Sequence, residues 1–148
     1  MLHTQQWVDA APFRAHLEHV LAATGLPWPA VALHAGVSPA TARSLLFGRS
    51  GFGVQRISPQ CARRLLGLDI ERVSQLKRRQ VPSRQTALRV ERLLDSGCDA
   101  AWLARWCHLS AAELRNLPDQ PFCSELTALL VQSACLEDPH FAPVLKAA

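Results

Sequence analysis

Hydrophobic residues recur at helical spacing along most of the chain, and prolines and glycines divide this pattern into short segments. The first segment, residues 12–23, places Phe13, Leu17 and Val20 on one face, and Gly25 follows it as a helix stop. The same pattern predicts further helices over residues 28–35, 39–47 and 58–66, then resumes at Gln85 and ends with a helix over 122–135. The sequence therefore predicts an all-α fold.

The spacing of a helix-turn-helix occurs in residues 28–47, WPAVALHAGVSPATARSLLF. Ala32 is small enough to let a second helix cross the first closely. Gly36 can adopt the left-handed conformation that ends the first helix, and Val37 then points into the gap between the helices. Leu45 supplies the inner face of the second helix. These four positions predict two helices joined by a tight turn.

The second helix of this motif begins with favourable residues and leaves one face open. Ser38 is a good N-cap, and Pro39 suits the first helical position. Ala42 falls three residues before Leu45 on the inner face. The residues left to face outward, where a recognition helix would meet a DNA groove, are Pro39, Ala40, Thr41, Arg43 and Ser44. We expect Arg43 to read a base, guanine, because arginine binds its O6 and N7 edge with two hydrogen bonds.

A shift of 72 residues brings a second copy of this pattern into register. The identical pairs are Leu21 and Leu93, Gly25 and Gly97, Ala32 and Ala104, Ser38 and Ser110, Ala40 and Ala112, Arg43 and Arg115, and Leu45 and Leu117. A constant offset through two helices and their turn predicts a tandem repeat. We therefore predict two helix-turn-helix bundles of about four helices each: a DNA-binding domain over 1–70, a basic linker over 71–84 and a degenerate domain over 85–148.

The second copy differs from the first at positions that matter for DNA. His108 replaces the turn glycine, and histidine tolerates the left-handed region less well than glycine does. Ser110 and Glu113 form the pattern of a capping box, which we favour over a contact between Glu113 and a cytosine. A carboxylate there would repel phosphates. We expect residues 85–148 to contact DNA weakly or not at all, and to dimerise or bind another protein instead.

The basic residues lie mainly in the part of the chain that carries the first motif. The 148 residues have a net charge of +4. Residues 1–84 hold eleven basic and four acidic residues, a net +7, whereas residues 85–148 hold five basic and eight acidic residues, a net −3. A polyanion would meet the first part preferentially. The basic residues expected to contact phosphates are Arg63, Arg64, Lys77, Arg78, Arg79 and Arg84.

Residues 48–57, GRSGFGVQRI, contain three glycines and predict either a loop or a short hairpin wing. Arg49 and Arg56 are flanked by these glycines, which suits a segment lying along a DNA backbone or edging into a minor groove. The alternative is a solvated connection between helices.

Motifs that would indicate catalysis or a metal site are missing from the sequence. It contains no G-x-S-x-G, no GK[ST] phosphate loop and no H-E-x-x-H, so we predict no enzymatic activity and no cofactor. The residues that invite a metal hypothesis are Cys98, Cys107, His108, Cys123 and Cys135, but no C-x-x-C occurs among them. We expect these cysteines to pack as small hydrophobic residues, without metal.

The chain also lacks the marks of a secreted or membrane-bound protein. No apolar run approaches the roughly 18 residues that span a bilayer. The N-terminus, MLHTQQWVDAAPF, has neither the basic start nor the apolar core of a secretory signal. An odd number of cysteines suits a reducing compartment. A cytoplasmic location is therefore expected.

The segment AVALHAGVSPATARSLLFG and the following GRSGFGVQRISPQCARRLLGL resemble repressor-like helix-turn-helix proteins of actinobacteria and of their phages and mobile elements. The resemblance covers about residues 12–70, with a fainter version over 85–135. It implies that the helix over 39–47 enters the major groove of double-stranded DNA. The residues nearest the bases would then be Ser38, Ala40, Thr41, Arg43 and Ser44.

The sequence-specific DNA-binding protein expected from these features would regulate transcription. The competing hypothesis is a protein-interaction module, built on the same scaffold, that recruits a partner or dimerises. A third hypothesis, a redox or metal sensor, depends on the five cysteines. Weakening of DNA binding by salt separates the first hypothesis from the second, and bound metal or visible absorbance would indicate the third.

Overall fold

The computed structural model describes residues 6–48 and 54–137. This part of the chain is mostly helical, as predicted, and it also contains two small antiparallel sheets that the prediction lacked. The chain divides into two compact units, one reaching to Ser74 and the other beginning at Gln75. We call them unit 1 and unit 2.

Unit 1 contains five α-helices and one two-stranded sheet within its described residues. In chain order these elements are β1 (Val8–Asp9), α1 (Ala11–Thr24), α2 (Trp28–Ala35), α3 (Pro39–Phe47), β2 (Arg56–Ile57), α4 (Pro59–Leu66) and α5 (Ile70–Ser74). Helix α1 packs against α4 and α5, and α2 packs against α3. The core is formed by fully buried aliphatic side chains, among them Leu17, Val31, Leu45, Leu65 and Val73.

The turn between α2 and α3 follows the sequence prediction closely. Gly36 has φ +84°, in the left-handed region, and ends α2. The amide of Val37 donates to the carbonyl of Ala32 (2.9 Å), and the Val37 side chain is buried. Ser38 then caps α3. Because each of these signals acts within a few residues, the predicted bounds of both helices, 28–35 and 39–47, are confirmed.

The sheet of unit 1 joins two segments that are distant in sequence. Val8 pairs with Ile57 and Asp9 with Arg56, in antiparallel register. The amide of Ala10 extends the pairing by donating to the carbonyl of Gln55 (2.8 Å). Of the segment 48–57, predicted as a loop or a short hairpin wing, the structure describes residues 48 and 54–57, and its strand Arg56–Ile57 pairs with residues before α1. Arg49 lies outside the described residues.

Unit 2 repeats the order of strand, three helices, strand and helix, and it adds two 3₁₀ turns. Those elements are a 3₁₀ turn (Gln75–Lys77), β3 (Gln80–Pro82), α6 (Arg84–Asp95), α7 (Ala100–Trp106), α8 (Ala111–Asn116), a second 3₁₀ turn (Leu117–Asp119), β4 (Phe122–Ser124) and α9 (Glu125–Cys135). Strands β3 and β4 pair antiparallel, with Val81 opposite Cys123. The last helix starts at Glu125, not at residue 122 as predicted, because the preceding three residues form β4.

The internal repeat continues past the two helices that flank each turn, with a different spacing between equivalent residues. The offset of 72 residues relates the two turns: His108 has φ +56°, and the amide of Leu109 donates to the carbonyl of Ala104 (2.9 Å), as Val37 does to Ala32. Beyond the two helices that flank each turn, equivalent residues are 66 positions apart. Ser58 caps α4, and Ser124 caps the equivalent helix α9. The repeat thus includes the strand and helix that follow.

The predicted linker over 71–84 is not a separate segment. Its first residues complete α5, which packs on α1, and the rest form the 3₁₀ turn, β3 and the start of α6. The boundary between the compact units falls between Ser74 and Gln75. The basic residues of 77–84 therefore belong to unit 2. They lie on both sides of β3 and are Lys77, Arg78, Arg79 and Arg84.

Candidate nucleic-acid interface

Three buried residues set the inward face of α3. Pro39, Ala42 and Leu45 follow one another at three-residue spacing, and all three are buried. The burial of Pro39 corrects the prediction that it faces outward. The physical reason is helical geometry: Pro39 stands one turn before Ala42 and therefore lies on the same side of the helix.

The outward face of α3 carries small polar residues. Ala40 and Thr41 are exposed, and Ser44 is half-buried. Ser38, at the cap, accepts a hydrogen bond from the Thr41 amide (3.2 Å) and donates one to Thr41 Oγ1 (2.9 Å). The cap thus completes the first turn and also fixes the Thr41 hydroxyl at the start of the outward face.

A groove of about 610 Å³ runs beside this face. Its walls come from the outward side of α3, from β2 and from the first turns of α4, and Trp7 lies at one edge. Two arginines, Arg56 and Arg64, line it together with Thr41 and Ser44, and none of its described lining residues is acidic. The groove is therefore electropositive.

Backbone contacts hold the two groove arginines in place. Arg56 Nη1 donates to the carbonyl of Trp7 (3.2 Å), across the sheet of unit 1. Arg64 Nη1 donates to the carbonyl of Gly36 (2.9 Å), at the end of α2. Both side chains remain exposed. Burial raises the pKa of the Cys61 thiol in the groove wall, while the positive charge of Arg64 opposes the rise. Cys61 is therefore a neutral wall residue at ordinary pH.

Arg43 lies against α2. Its guanidinium carbon is 5.4 Å from the centre of the Trp28 ring, a cation–π distance. Trp28 in turn meets Phe47 edge to face, with ring centroids 5.6 Å apart. Arg43 is not among the residues that line the groove. The cations near α3 thus have two different surroundings: Arg43 lies over the Trp28 ring, and Arg56 and Arg64 line the groove.

The other predicted basic contacts are not gathered at this groove. Arg63 is exposed on α4 but does not line the groove. Lys77, Arg78, Arg79 and Arg84 are all exposed and belong to unit 2. Within that unit, Arg79 Nε forms an ion pair with Glu125 Oε1 at 3.4 Å.

The lining residues that the sequence-based site lacked include Trp7 and Gln60. Gln60 had a local signal, since Ser58 and Pro59 mark the start of a helix and place Gln60 in its first turn. Trp7 had none. It reaches the groove because β1 pairs with β2, and this pairing joins residues 49 apart in sequence. Trp7 is 56% exposed, so an aromatic face is available at the groove edge.

Unit 2 has a groove at the equivalent place, with different chemistry. It measures about 350 Å³, and Glu113 and Asn116 line it where unit 1 has Thr41 and Ser44. A residue count from the equivalent caps places Phe122 and Leu130 where unit 1 has its two arginines. The hydrogen bond from the Ser110 amide to Glu113 Oε1 (3.0 Å) lowers the pKa of that carboxyl, so the groove carries a negative charge.

The cysteines of unit 2 lie mostly in its interior, as predicted. Cys98, Cys107 and Cys123 are buried, and Cys135 is exposed. Burial raises the pKa of Cys107 to about 12, so this thiol is neutral at ordinary pH. A search of residues 6–48 and 54–137 finds no cluster of three or more His, Cys, Asp or Glu side chains arranged to hold a metal ion.

Comparison of the chain with protein-family models, with curated proteins and with solved structures finds no significant match in any of the three. Among the described helices, none combines the length and apolar character that crossing a bilayer requires. A function for this chain is therefore inferred from the geometry and charge of unit 1.

Proposed function

We propose that this chain is a sequence-specific double-stranded DNA-binding protein with two tandem helix-turn-helix domains, and that it regulates transcription, as phage and mobile-element repressors do. Unit 1 makes the specific contact by placing α3 in the major groove. The observation that carries the proposal is the outward face of α3, which lies beside an electropositive groove whose described lining residues include no acidic one. A polyanion is the partner that this charge favours.

The division of labour within the proposed interface follows from side-chain chemistry. Ala40, Thr41 and Ser44 are short, so they allow the helix backbone to approach base edges closely. Arg56 and Arg64 contact phosphates, because guanidinium groups held by backbone carbonyls keep further N–H donors for phosphate oxygens. The short residues therefore supply specificity, and the arginines supply affinity and orientation.

Arg43 is proposed to read guanine, with Trp28 as the platform that holds its guanidinium plane. A guanidinium that lies over an aromatic ring keeps N–H donors available for two parallel hydrogen bonds and loses little entropy when it makes them. Lysine at this position keeps the positive charge but lacks the two parallel N–H donors of a guanidinium. Arg43→Lys should therefore lower the preference at one base pair by about 1–3 kcal/mol while leaving the salt dependence unchanged.

The measurement for Arg43 is competition binding with a set of single-base variants of a selected site. Selection of bound sequences from a random DNA pool supplies that site. Arg43→Ala serves as the reference that removes both the N–H donors and the charge. If Arg43→Lys binds all single-base variants with the wild-type pattern, Arg43 contacts phosphate only, and the base contact is refuted.

Salt titration of duplex DNA binding tests the proposed interface. The logarithm of affinity should fall linearly with the logarithm of salt concentration, with a slope of about 0.9 per phosphate contacted. The single variants Arg56→Gln and Arg64→Gln should each reduce that slope by roughly one contact. Arg72→Gln is the matched control, since Arg72 is exposed on α5, loses the same charge and does not line the groove.

The possible results separate the two main hypotheses. Equal effects of Arg72→Gln and of the groove variants would mean that only net charge matters, and they would refute this interface. No binding of the wild-type protein at low salt would refute DNA binding and favour a protein-interaction module. Lys77 and Arg78 enter the proposal only as additional phosphate contacts, and their neutralisation should weaken binding to all sequences alike.

A further inference from the structure

We propose that the exposed face of α6 in unit 2 is a symmetric contact through which two copies of this chain form a dimer. The face includes Leu88, which is 40% exposed, and it adjoins a groove of about 410 Å³. Pro82, Pro118 and Pro121 line that groove with Leu88. Contiguous apolar residues at the surface are a common mark of protein contacts.

The sequence of α6 divides the helix into two opposite faces. Thr86 and Val90 are buried and point into unit 2. Arg84, Leu88 and Glu91 follow one another at spacings of four and three residues, so they share the opposite face. All three line the groove, and each is exposed. The apolar residue thus stands between a cation and an anion.

This charge order identifies the occupant as a second copy of the chain. Leu88 lies about midway between Arg84 and Glu91 along the helix. If two α6 helices pack antiparallel about a twofold axis near Leu88, Arg84 faces Glu91 of the partner subunit, and the reverse pair forms on the other side of the axis. A face that carries its own complement in this way is the signature of an isologous contact.

Strand residues widen the apolar part of this face. Pro82 pairs with Phe122 across the sheet of unit 2, and Phe122 is 56% exposed. The equivalent strand of unit 1 has Arg56 in the place of Phe122. The repeat therefore presents a cation in unit 1 and an aromatic ring in unit 2, which suits a polyanion in the first unit and a protein surface in the second.

Dimerisation goes beyond the proposed function and does not depend on it. A dimer would join two copies of α3, as expected for a protein that binds paired half-sites. The contact itself involves no DNA, so the oligomeric state can be measured without DNA. Failure of DNA binding would leave the dimer unaffected, and loss of the dimer would leave the salt dependence of unit 1 to be tested by itself.

The test is sedimentation velocity on the full chain over a wide concentration range, with circular dichroism as the measure of folding. The wild-type protein should show a monomer–dimer equilibrium. Leu88→Glu should weaken the dimer by at least roughly tenfold, because it places two like charges near the twofold axis. Leu94→Glu is the matched control on the same helix, since Leu94 is 37% exposed and does not line the groove. It should dimerise as the wild type does.

Charge reversal provides the decisive arm. Arg84→Glu and Glu91→Arg should each be monomeric alone, because each places like charges opposite one another at both ends of the contact. An equimolar mixture of the two variants should form a heterodimer, since both pairs then regain opposite charges.

Three results would overturn the proposal. They are a wild-type monomer at every concentration, a dimer that persists in Leu88→Glu, and a mixture of folded reversal variants that stays monomeric. The first of these would assign the apolar face to a different protein.

Discussion

Gly36 and His108 occupy the same position in the two copies of the turn, and both have positive φ, at 84° and 56°. A left-handed backbone costs a residue with a Cβ atom about 1–2 kcal/mol relative to the right-handed one. Unit 2 bears part of this cost, because its turn uses histidine. The chain thus contains one such turn with glycine and one without it.

Substitution at these two positions should change stability in opposite directions. Gly36→Ala should lower the free energy of unfolding of unit 1 by about 1–2 kcal/mol, because alanine at φ +84° is strained. His108→Gly should raise that of unit 2 by roughly 0.5–1 kcal/mol, because it relieves the same strain. Urea denaturation followed by circular dichroism measures both changes.

Gly25→Ala is the control for these changes. Gly25 has φ +68°, and an added Cβ would meet no atom within 4 Å, so any loss of stability there is backbone strain alone. A loss in Gly36→Ala equal to that in Gly25→Ala indicates strain as the common cause. A neutral Gly36→Ala would contradict the explanation given for the turn.

Arg14 shows that a basic residue can have a structural role within the fold, so positive charge alone does not identify a DNA contact. Its Nε donates to the carbonyl of Leu45 (2.6 Å), and its Nη2 donates to the carbonyl of Val54. The side chain therefore ties α1 to the end of α3 and to the segment before β2. This arginine stabilises the position of α3, a role that nothing in the local sequence indicated.

At the scale of elements, α4 and α9 begin with equivalent serine caps, so the similarity between the two units continues beyond the turn. Ser58 Oγ accepts the Cys61 amide at 3.1 Å, and Ser124 Oγ accepts the Thr127 amide at 3.1 Å. Each serine follows directly on, or ends, the strand that pairs back to the start of its unit. The cap thus terminates a strand and begins a helix at one residue in both copies.

Removing either cap should destabilise only the unit that contains it. Ser58→Ala and Ser124→Ala should each cost about 1 kcal/mol, because one helix amide loses its partner. Hydrogen exchange measured by mass spectrometry should rise in residues 6–48 and 54–74 for the first variant and in 75–137 for the second. Faster exchange in both units from a single variant would contradict independent stability of the units.

At the scale of the whole molecule, the charge distribution changes once the units are known. Divided at the structural boundary, residues 1–74 hold seven basic and four acidic residues, a net +3, and residues 75–148 hold nine basic and eight acidic, a net +1. The contrast of +7 and −3 across residue 84 arose because the basic cluster at 77–84 was counted with the first motif. The proposed binding of DNA therefore depends on the local charge at the groove of unit 1.

The buried thiols give the molecule an alkaline limit of stability. Burial raises the pKa of Cys107 from an ordinary value near 9.0 to about 12, so the unfolded state loses its proton first. The stabilisation is complete below pH 9 and is lost as pH rises from 9 towards 12, at about 1.4 kcal/mol per pH unit for one group. Burial raises the pKa of the other four thiols in the same direction.

Cys107→Ala should therefore flatten the fall in stability between pH 9 and 11, as measured by urea denaturation at each pH. Leu114→Ala is the control, since it removes buried side-chain volume from the same unit without removing a titrating group. It should lower stability equally at every pH. Parallel pH profiles for Cys107→Ala and the wild type would contradict a raised pKa for this thiol.

The sequence by itself determined the helices around both turns, the caps at Ser38 and Ser110, and the repeat. These features depend on groups within one helical turn of each other, such as Gly36 and the α2 carbonyls it follows, so a local pattern is enough to predict them. The tertiary structure alone decided the rest. The pairing of β1 with β2 brings Trp7 and Arg56 together, and the units divide at Ser74. Each of these outcomes depends on contacts between residues far apart in the chain, and such contacts leave no periodic signal in the sequence.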